Sequence, residues 1–598
     1  MPIEPLEAHS PPETIPPRDA RRAISRGLPI LAALRGYGPA SFRADLVAGI
    51  VLSALLVPAG MGYAEAAGLP PITGLYATVG PLVAYFLVGP SRILVLGPDS
   101  ALIAPVAATI IPLAGGDDGR SVALAAALAL MVGAICIAAA AARLGFLTDL
   151  LSRPVRVGYM NGIALTVIVS QVPKLLGFSV DGSDFLGESI GIVRGVLDGR
   201  VVPVALLIGA GALMVILVLR RASRRLPSVL IAVILATLVV TLFGLANQLA
   251  VVGAVPRGFA AVGIPAVSLA DLLALVPGAL GIALVAFTDT SVISRTFAAR
   301  RGEAVDPDHE LAALGVANVA SGLIGGFPIS SSATRTPVAE AAGSRTQVTG
   351  LVGAGVIVLL LVATPGLLTN LPSTALAAIV ITAALSLFDL AGARRLLRLR
   401  RSEFGLSVAS FLGVVVFGVL PGIGIAVGLS LLNFIRHAWR PHEAILGRVP
   451  NYKGYHDIGR HPDARQVPGL LLYRWDAPLF FANADLFRDR VRAAVRGVDP
   501  PIRWLIVSAE PVTDIDTTAA DALDEVITDL ARAGIELHFA EMKGNVKDRL
   551  KDYGIYQRLG DAGFHPTVGT AVNAYLAGHP VPWQDWEDAA DTPGAVPG

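Results

Sequence analysis

The chain has 598 residues, of which 54% are hydrophobic and 16% charged, with a formal net charge of +1 and a mean hydropathy of +0.65. Soluble globular proteins carry roughly 25% charged residues, so the composition argues against a large cytosolic enzyme, and the near-neutral balance argues against a nucleic-acid binder, which needs a basic excess. The single cysteine, Cys136, lies in the apolar run MVGAICIAAA and leaves no intrachain disulfide or cysteine-based metal site.

Residues 1–44 are rich in Pro and Arg, have no signal-type apolar core, and read as a cytoplasmic tail. Over 45–437, apolar runs alternate with short charged loops, and many reach the roughly 20 residues that span a bilayer. Fourteen helices are expected: 45–64, 72–88, 98–112, 121–142, 155–178, 203–220, 228–248, 273–298, 309–326, 330–343, 346–364, 372–388, 404–418 and 419–437. The third and tenth are too short to span as ordinary helices.

Arginine sets the orientation. Arg143, Arg153 and Arg156 follow the fourth run; Arg220, Arg221, Arg224 and Arg225 follow the sixth. Arg300 and Arg301 follow the eighth, and Arg394, Arg395, Arg398, Arg400 and Arg401 the twelfth. The other loops are basic-poor or mixed, such as GGDDGR and the stretch with Asp181, Asp184 and Glu188. By the positive-inside rule both termini are cytoplasmic.

Beyond the membrane block, 438–464 reads as a linker, 465–580 as a small α/β domain and 581–598 as a C-terminal tail. The strand LLLYRW, a helix over 484–496, the strand RWLIVSAE, a helix over 518–533, IELHFAEM and a helix near 546–553 alternate as α/β layers require.

The two short runs carry the first functional signal. SRILVLGPDSALIAPVAATIIP has an extended piece, then Gly97-Pro98, then a helix starting at Asp99 or Ser100; GGFPISSSATRTPVAEAAG repeats that form. They occupy corresponding places in two seven-helix halves, which is the trace of an inverted repeat with two half-helix N-termini meeting near the midplane. Such ends offer free N–H groups and positive dipoles to an anion. The alternative is a pair of re-entrant loops that only pack helices. Ser330, Ser331, Ser332 and Thr334 can donate to an oxyanion or simply cap a helix. Arg335 adds a fixed positive charge, unless it snorkels or pairs with an acid.

Asp289 lies deep in the eighth helix, where an acid costs about 2.5–3.5 kcal/mol unless it faces a cavity or partner. Its readings are a H⁺ or Na⁺ coupling site or a structural pair, with Thr290, Ser291 and Ser294 as nearby oxygens. In the first helix Pro58, Gly60 and Gly62 permit close packing, Tyr63 walls a cavity or packs, and Glu65 is expected to be solvated near the extracellular end.

VPAGMGYAEAAGLPPITGLYATVGP, GPSRILVLGPDSA and SSSATRTPVAEAAGSRTQVTGLVGA, in this order, resemble the sulfate permease (SulP-type) anion transporters. WLIVSAEPVTDIDTTAADAL and AGIELHFAEMKGNVKDRL resemble their STAS domain. The resemblance implies an α-helical membrane protein of 14 segments in a 7+7 inverted repeat, with helices 1–4 and 8–11 as a core moving against a gate. It also implies a homodimer and a substrate site on Tyr63, Pro98, Asp99, Ser100, Ala101, Ser332, Ala333, Thr334 and Arg335. Two departures stand out. Ala59 replaces a Gln common after the first-helix proline, and Asp289 takes the place of a Glu. In Na⁺-coupled bicarbonate members a threonine follows one turn after that acid; here Ile293 does, which favours H⁺.

In the α/β module Asp516-Thr517-Thr518 opens a helix. Soluble STAS relatives are phosphorylated on a hydroxyl residue here, which makes Thr517 and Thr518 candidates; the plainer reading is an N-cap. His538 and His565 form no catalytic constellation with a nucleophile. The expected protein is therefore not an enzyme, and no cofactor or metal is expected. It is a multi-pass plasma-membrane transporter of a small inorganic oxyanion, sulfate first, coupled to H⁺ or less favourably Na⁺ through Asp289 and Ser294. Its other partners would be the lipid bilayer, a second copy and a cytoplasmic ligand of the STAS domain, with no nucleic acid. Alternatives are a bicarbonate or dicarboxylate transporter (Na⁺-coupled or an exchanger), a nucleobase–cation symporter of the same fold, and a channel or non-transporting sensor.

Overall fold

The computed structural model describes residues 37–146, 152–180, 185–222, 227–258, 262–496, 498 and 500–586. Most of the expected N-terminal tail, Asp181, Asp184, Arg224, Arg225 and the end of the C-terminal tail lie outside the described residues. The chain divides into two units, Met1–Ser430 and Leu431–Gly598.

The first unit contains α1 (Pro39–Ala66), α2 (Ile72–Val88), β1 (Leu96–Gly97), α3 (Ser100–Ala114) and α4 (Asp118–Ala141), then α5 (Arg153–Leu176), α6 (Phe185–Leu197), α7 (Pro203–Ala222) and α8 (Ser228–Leu242). The order then repeats in α9 (Leu269–Arg300), α10 (Pro307–Leu323), β2 (Ser330–Ser331), α11 (Arg335–Ala341) and α12 (Val348–Ala363). The second half ends with α13 (Ser373–Leu387), α14 (Leu390–Leu399), α15 (Arg401–Phe417) and α16 (Val419–Trp439). Among the described residues seven helices are long and apolar enough to cross a membrane, and four shorter apolar ones accompany them. Leu207, Met214 and Val218 on α7 are more than half exposed, as side chains facing lipid must be.

Two helices were not expected. α6 follows the fifth spanning segment of the first half and α14 the fifth of the second, so each half carries the same insertion. Arg394, Arg395 and Arg398 therefore lie on a helix rather than in an open loop.

Packing sorts the helices into two groups. α1, α2 and α12 pack together, as do α4, α9 and α10, with α10 also against α2; elsewhere α5 packs on α13 and α15, and α7 on α8 and α13, and the two groups meet where α1 lies on α13. Gly158 shows how close the α5–α15 crossing is, because a Cβ there would lie 1.8 Å from the carbonyl oxygen of Ser407. In the first group a fully buried carboxylate, Asp45 of α1, caps the start of α12. It accepts from the backbone N–H of Arg345 (2.6 Å) and Thr346 (3.1 Å), the hydroxyls of Thr346 (2.6 Å) and Thr349 (2.9 Å), and Tyr37 (2.9 Å).

The second unit is an α/β domain built on β3 (Glu443–Arg448), β4 (Tyr455–Asp457), β5 (Leu470–Trp475), β6 (Trp504–Ser508), β7 (Glu536–Ala540) and β8 (Phe564–His565). The sheet order is β4-β3-β5-β6-β7-β8. β3 pairs antiparallel with β4 and β5, while β5, β6, β7 and β8 run parallel. The central strands are buried along nearly their whole length, as parallel strands covered on both faces are. The helices are α17 (Ala484–Val495), α18 (Thr517–Arg532), α19 (Gly544–Asp552), α20 (Ile555–Leu559) and α21 (Val568–Gly578). The residues expected as a linker, 438–464, hold β3 and β4, and Arg448 of β3 pairs with Asp585 at 2.8 Å. β4 has only 3 residues and both strands carry charged side chains, which hid them in the sequence.

Candidate functional site

The two Gly/Pro breaks meet. β1 and β2 form an antiparallel ladder with Leu96 opposite Ser331 and Gly97 opposite Ser330, and Ser332 N–H extends it by donating to Val95 O (3.1 Å). α10 supports the ladder from behind: Asn318 accepts from Ile329 N–H (2.9 Å) and donates to Ile329 O (3.1 Å), while Ser321 donates to Phe327 O (2.7 Å). Thr290 of α9 accepts from Ser331 N–H (3.3 Å). Thr290 is thus a scaffold hydroxyl.

Arg335 begins α11 and brings a guanidinium to the ladder. Its side chain is 1% exposed, so it does not snorkel. Nη2 donates to Pro98 O and lies 3.9 Å from Asp99 Oδ2, beyond hydrogen-bond range. Nε and Nη1 have no hydrogen-bond partner, and neither has the buried hydroxyl of Ser331. Leaving such buried donors unpaired is costly unless a ligand or a water takes them. Ser332 is buried, accepts from Arg335 N–H (3.3 Å) and shares a hydrogen bond with Thr334 Oγ1 (3.1 Å). Ala333 is exposed at the tip between β2 and α11.

Two expectations about the half-helices need correction. α11 has only 7 residues, about two turns, so its dipole is small and the positive charge there is that of Arg335. On the other side Asp99 is the N-cap of α3, and its Oδ1 already accepts from Ala101 N–H (3.2 Å). The α3 terminus is therefore partly occupied by the chain's own carboxylate. Ser100 and Ala101 are buried in its first turn, and Tyr63 of α1, also buried, lies in the electrostatic reach of both Asp99 and Arg335.

Asp289 lies on α9, with Asp99 and Arg156 as its electrostatic neighbours. Ser294 does not share its face. It is five residues on, about 140° round the helix, donates to Ser291 O (3.2 Å), and lines a separate cavity of about 40 Å³ with Ser91, Arg92 and Glu303.

Glu65 is not solvated. It lies at the C-terminal end of α1, 3.7 Å from Lys174 Nζ of α5, which also donates to Glu65 O (2.7 Å). In the α/β unit Asp516 N-caps α18 by accepting from Ala519 N–H (2.8 Å), leaving Thr517 and Thr518 exposed in its first turn. Asp45, Asn318 and Lys174 were not picked out as polar contacts; their partners are too far away in sequence, or too irregular, for any spacing to reveal them.

Residues 42–410 match the sulfate permease family and residues 461–571 the STAS domain. The chain belongs to the sulfate permease family. A probable sulfate transporter of Mycobacterium tuberculosis is 43% identical to this permease-family chain over 548 residues, covering 92% of it and 98% of the relative. Sulfate transporter 1.1 of Arabidopsis thaliana is 30% identical over 584 residues, covering 93% and 89%. Among solved structures the murine solute carrier 26 family member A9 anion transporter, in the inward-facing state, superposes with a TM-score of 0.86 at 21% identity, covering 96% of this chain and 97% of that one. The transmembrane domain of a cyanobacterium bicarbonate transporter gives 0.57 at 24% identity, covering 66% and 99%. At these identities the structural likeness speaks for the fold: a multi-pass helical membrane unit of the 7+7 type followed by a STAS domain.

Proposed function

We propose that the chain is a secondary active transporter of inorganic oxyanions, sulfate first, that works by alternating access and is driven by H⁺. The observation that carries this is Arg335: a guanidinium 1% exposed, with Nε and Nη1 unpartnered, at the junction of the two half-helix breaks. Tyr63, Pro98, Asp99, Ser100 and Ala101 on one side, and Ser332, Ala333 and Thr334 on the other, would frame the anion. The sulfate assignment draws on the names carried by the relatives from M. tuberculosis and A. thaliana. The α1–α4 and α9–α12 group would be the moving core, and α5, α7, α8, α13, α15 and α16 the gate.

Asp289 would couple transport to H⁺. The readings against Na⁺ are Ile293 one turn on, Thr290 engaged with β2, and Ser294 on another face. We further infer a homodimer in the plasma membrane with both termini in the cytoplasm, where the STAS domain meets a partner that phosphorylation of Thr517 or Thr518 would modulate.

The test is uptake into liposomes of radiolabelled sulfate, bicarbonate, a dicarboxylate and uracil under imposed H⁺ or Na⁺ gradients. Sulfate accumulation that follows the H⁺ gradient, abolished in Arg335→Ala, is expected. Asp289→Asn should keep sulfate exchange at zero gradient and lose accumulation. Uptake of uracil without any anion, or single-channel currents, would overturn the reading.

A further inference from the structure

We propose that Asp99 is a tethered counter-anion of Arg335, which the incoming oxyanion displaces electrostatically and which takes up one H⁺ from the aqueous side as it does so. This rests on the oxyanion-site reading above and adds the step that makes binding itself proton-dependent.

The geometry is that of a pair held apart. Asp99 sends Oδ1 back to Ala101 N–H as the cap of α3, which aims Oδ2 at Arg335 across 3.9 Å. At that distance attraction operates without a hydrogen bond. Nη2 is engaged by Pro98 O, while Nε and Nη1, whose N–H groups point apart, remain as separate free donors for an anion. A carboxylate beside those donors is the wrong sign for an anion site, unless its charge changes during the cycle.

The surrounding groups leave few other ways to balance the charge. Arg335 faces Asp99 from α11, Tyr63 from α1 and Asp289 from α9. α5 contributes Arg156 and Tyr159 on the Asp289 side, α13 has no titratable side chain, and those of α4 are Asp118 and Arg120 in its first turn and Cys136. With both aspartates ionised, Arg335 and Arg156 only just balance Asp99 and Asp289. A divalent oxyanion at the Arg335 guanidinium adds two negative charges beside Asp99, and a like charge within about 4–6 Å favours the neutral acid. One H⁺ then adds to a free oxygen of the carboxylate, forming an O–H bond with nothing oxidised or reduced. The product keeps its cap on Ala101 and turns a repelling oxygen into a donor to the substrate. Ser331, whose buried hydroxyl has no partner, sits on the strand opposite.

The experiment is equilibrium binding of radiolabelled sulfate to the purified full-length protein between pH 5.5 and 8.5, for the wild type, Asp99→Asn, Asp99→Glu and Asp289→Asn. Asn caps a helix as well as Asp does, so Asp99→Asn removes the charge and leaves α3 capped. In the wild type the Kd should rise with pH, approaching tenfold per unit for each proton taken up. Asp99→Asn should lose one proton's worth of that slope and bind more tightly than wild type at pH 8.5, while Asp99→Glu should keep the slope. A wild-type slope retained in Asp99→Asn but lost in Asp289→Asn assigns the proton to Asp289 alone and overturns the proposal. So does weaker binding by Asp99→Asn at every pH. Absence of sulfate binding by the wild type at any pH is a different failure: it sinks the oxyanion reading beneath the proposal.

Discussion

Gly97 stands where the two halves of the membrane unit touch, with φ of +149° and Nη1 of Arg335 3.0 Å from the place a Cβ would take. A side chain there is strained by its own backbone and presses on the guanidinium. Gly97→Ala should weaken half-saturation for sulfate roughly tenfold, about 1–2 kcal/mol at a strained position, with the purified protein still monodisperse. In the α/β unit His538 is buried, its ring stacked 3.6 Å from that of Trp504 and its Nδ1 3.1 Å from Nε2 of His565. Burial holds both imidazoles below their ordinary values, with the neighbouring His538 charge adding to the effect on His565. The folded unit therefore keeps them neutral where the unfolded chain would protonate. Their contribution is complete above about pH 6.5 and is lost as pH falls through the lowered folded values. Protection of the β7 amides, with exchange read against its intrinsic rate at each pH, should fall between pH 7 and 5, and His538→Phe should flatten that dependence. Gly97, Pro98 and the serine run were legible in the sequence because they interrupt apolar runs. That Asp99 would face Arg335 was not, since that depends on how segments from the two halves of the chain are brought together.

α1 and α12 are tied by one carboxylate, and the tie should be measurable. Asp45→Ala strands buried donors at the start of α12, at a cost of about 1–3 kcal/mol for each one left unpaired. Its thermal midpoint in detergent should fall by several degrees or more, whereas Asp45→Asn, which keeps part of the acceptor capacity, should fall less. The spanning helices were visible as uninterrupted apolar length, and the central strands as apolar runs bounded by turns. α6 and α14 escaped because charge is counted as loop: in LAGARRLLRL the arginines fall on one face of a helix and the leucines on another. β3 and β4 escaped for a related reason: charged residues lie within and around them, and β3 joins the sheet by pairing with both β4 and β5.

At the scale of the whole membrane unit, α1 belongs to one packing group and α5 to the other, and Glu65 and Lys174 join them at 3.7 Å near the ends that the arginine pattern assigns to the outside. If the two groups move relative to each other as proposed, a bond across them stabilises one conformation over another by what it contributes there alone. Lys174→Met should raise labelling of a single cysteine placed at Ser100 by an external, membrane-impermeant thiol reagent, in a background where Cys136 is replaced by Ala. The charge swap Glu65→Lys with Lys174→Glu should bring labelling back toward the parent level. The β1–β2 ladder has a consequence for the same motion. Because Leu96–Ser331 and Gly97–Ser330 are registered residue to residue, the two halves of the candidate pocket cannot be pulled apart without breaking main-chain pairing. Under the proposed alternating access the pocket would travel as one piece and carry the same lining to either face of the membrane. A carrier of that kind would have no built-in direction: with all gradients collapsed its net flux is zero, and the baths alone would decide which way the cargo goes.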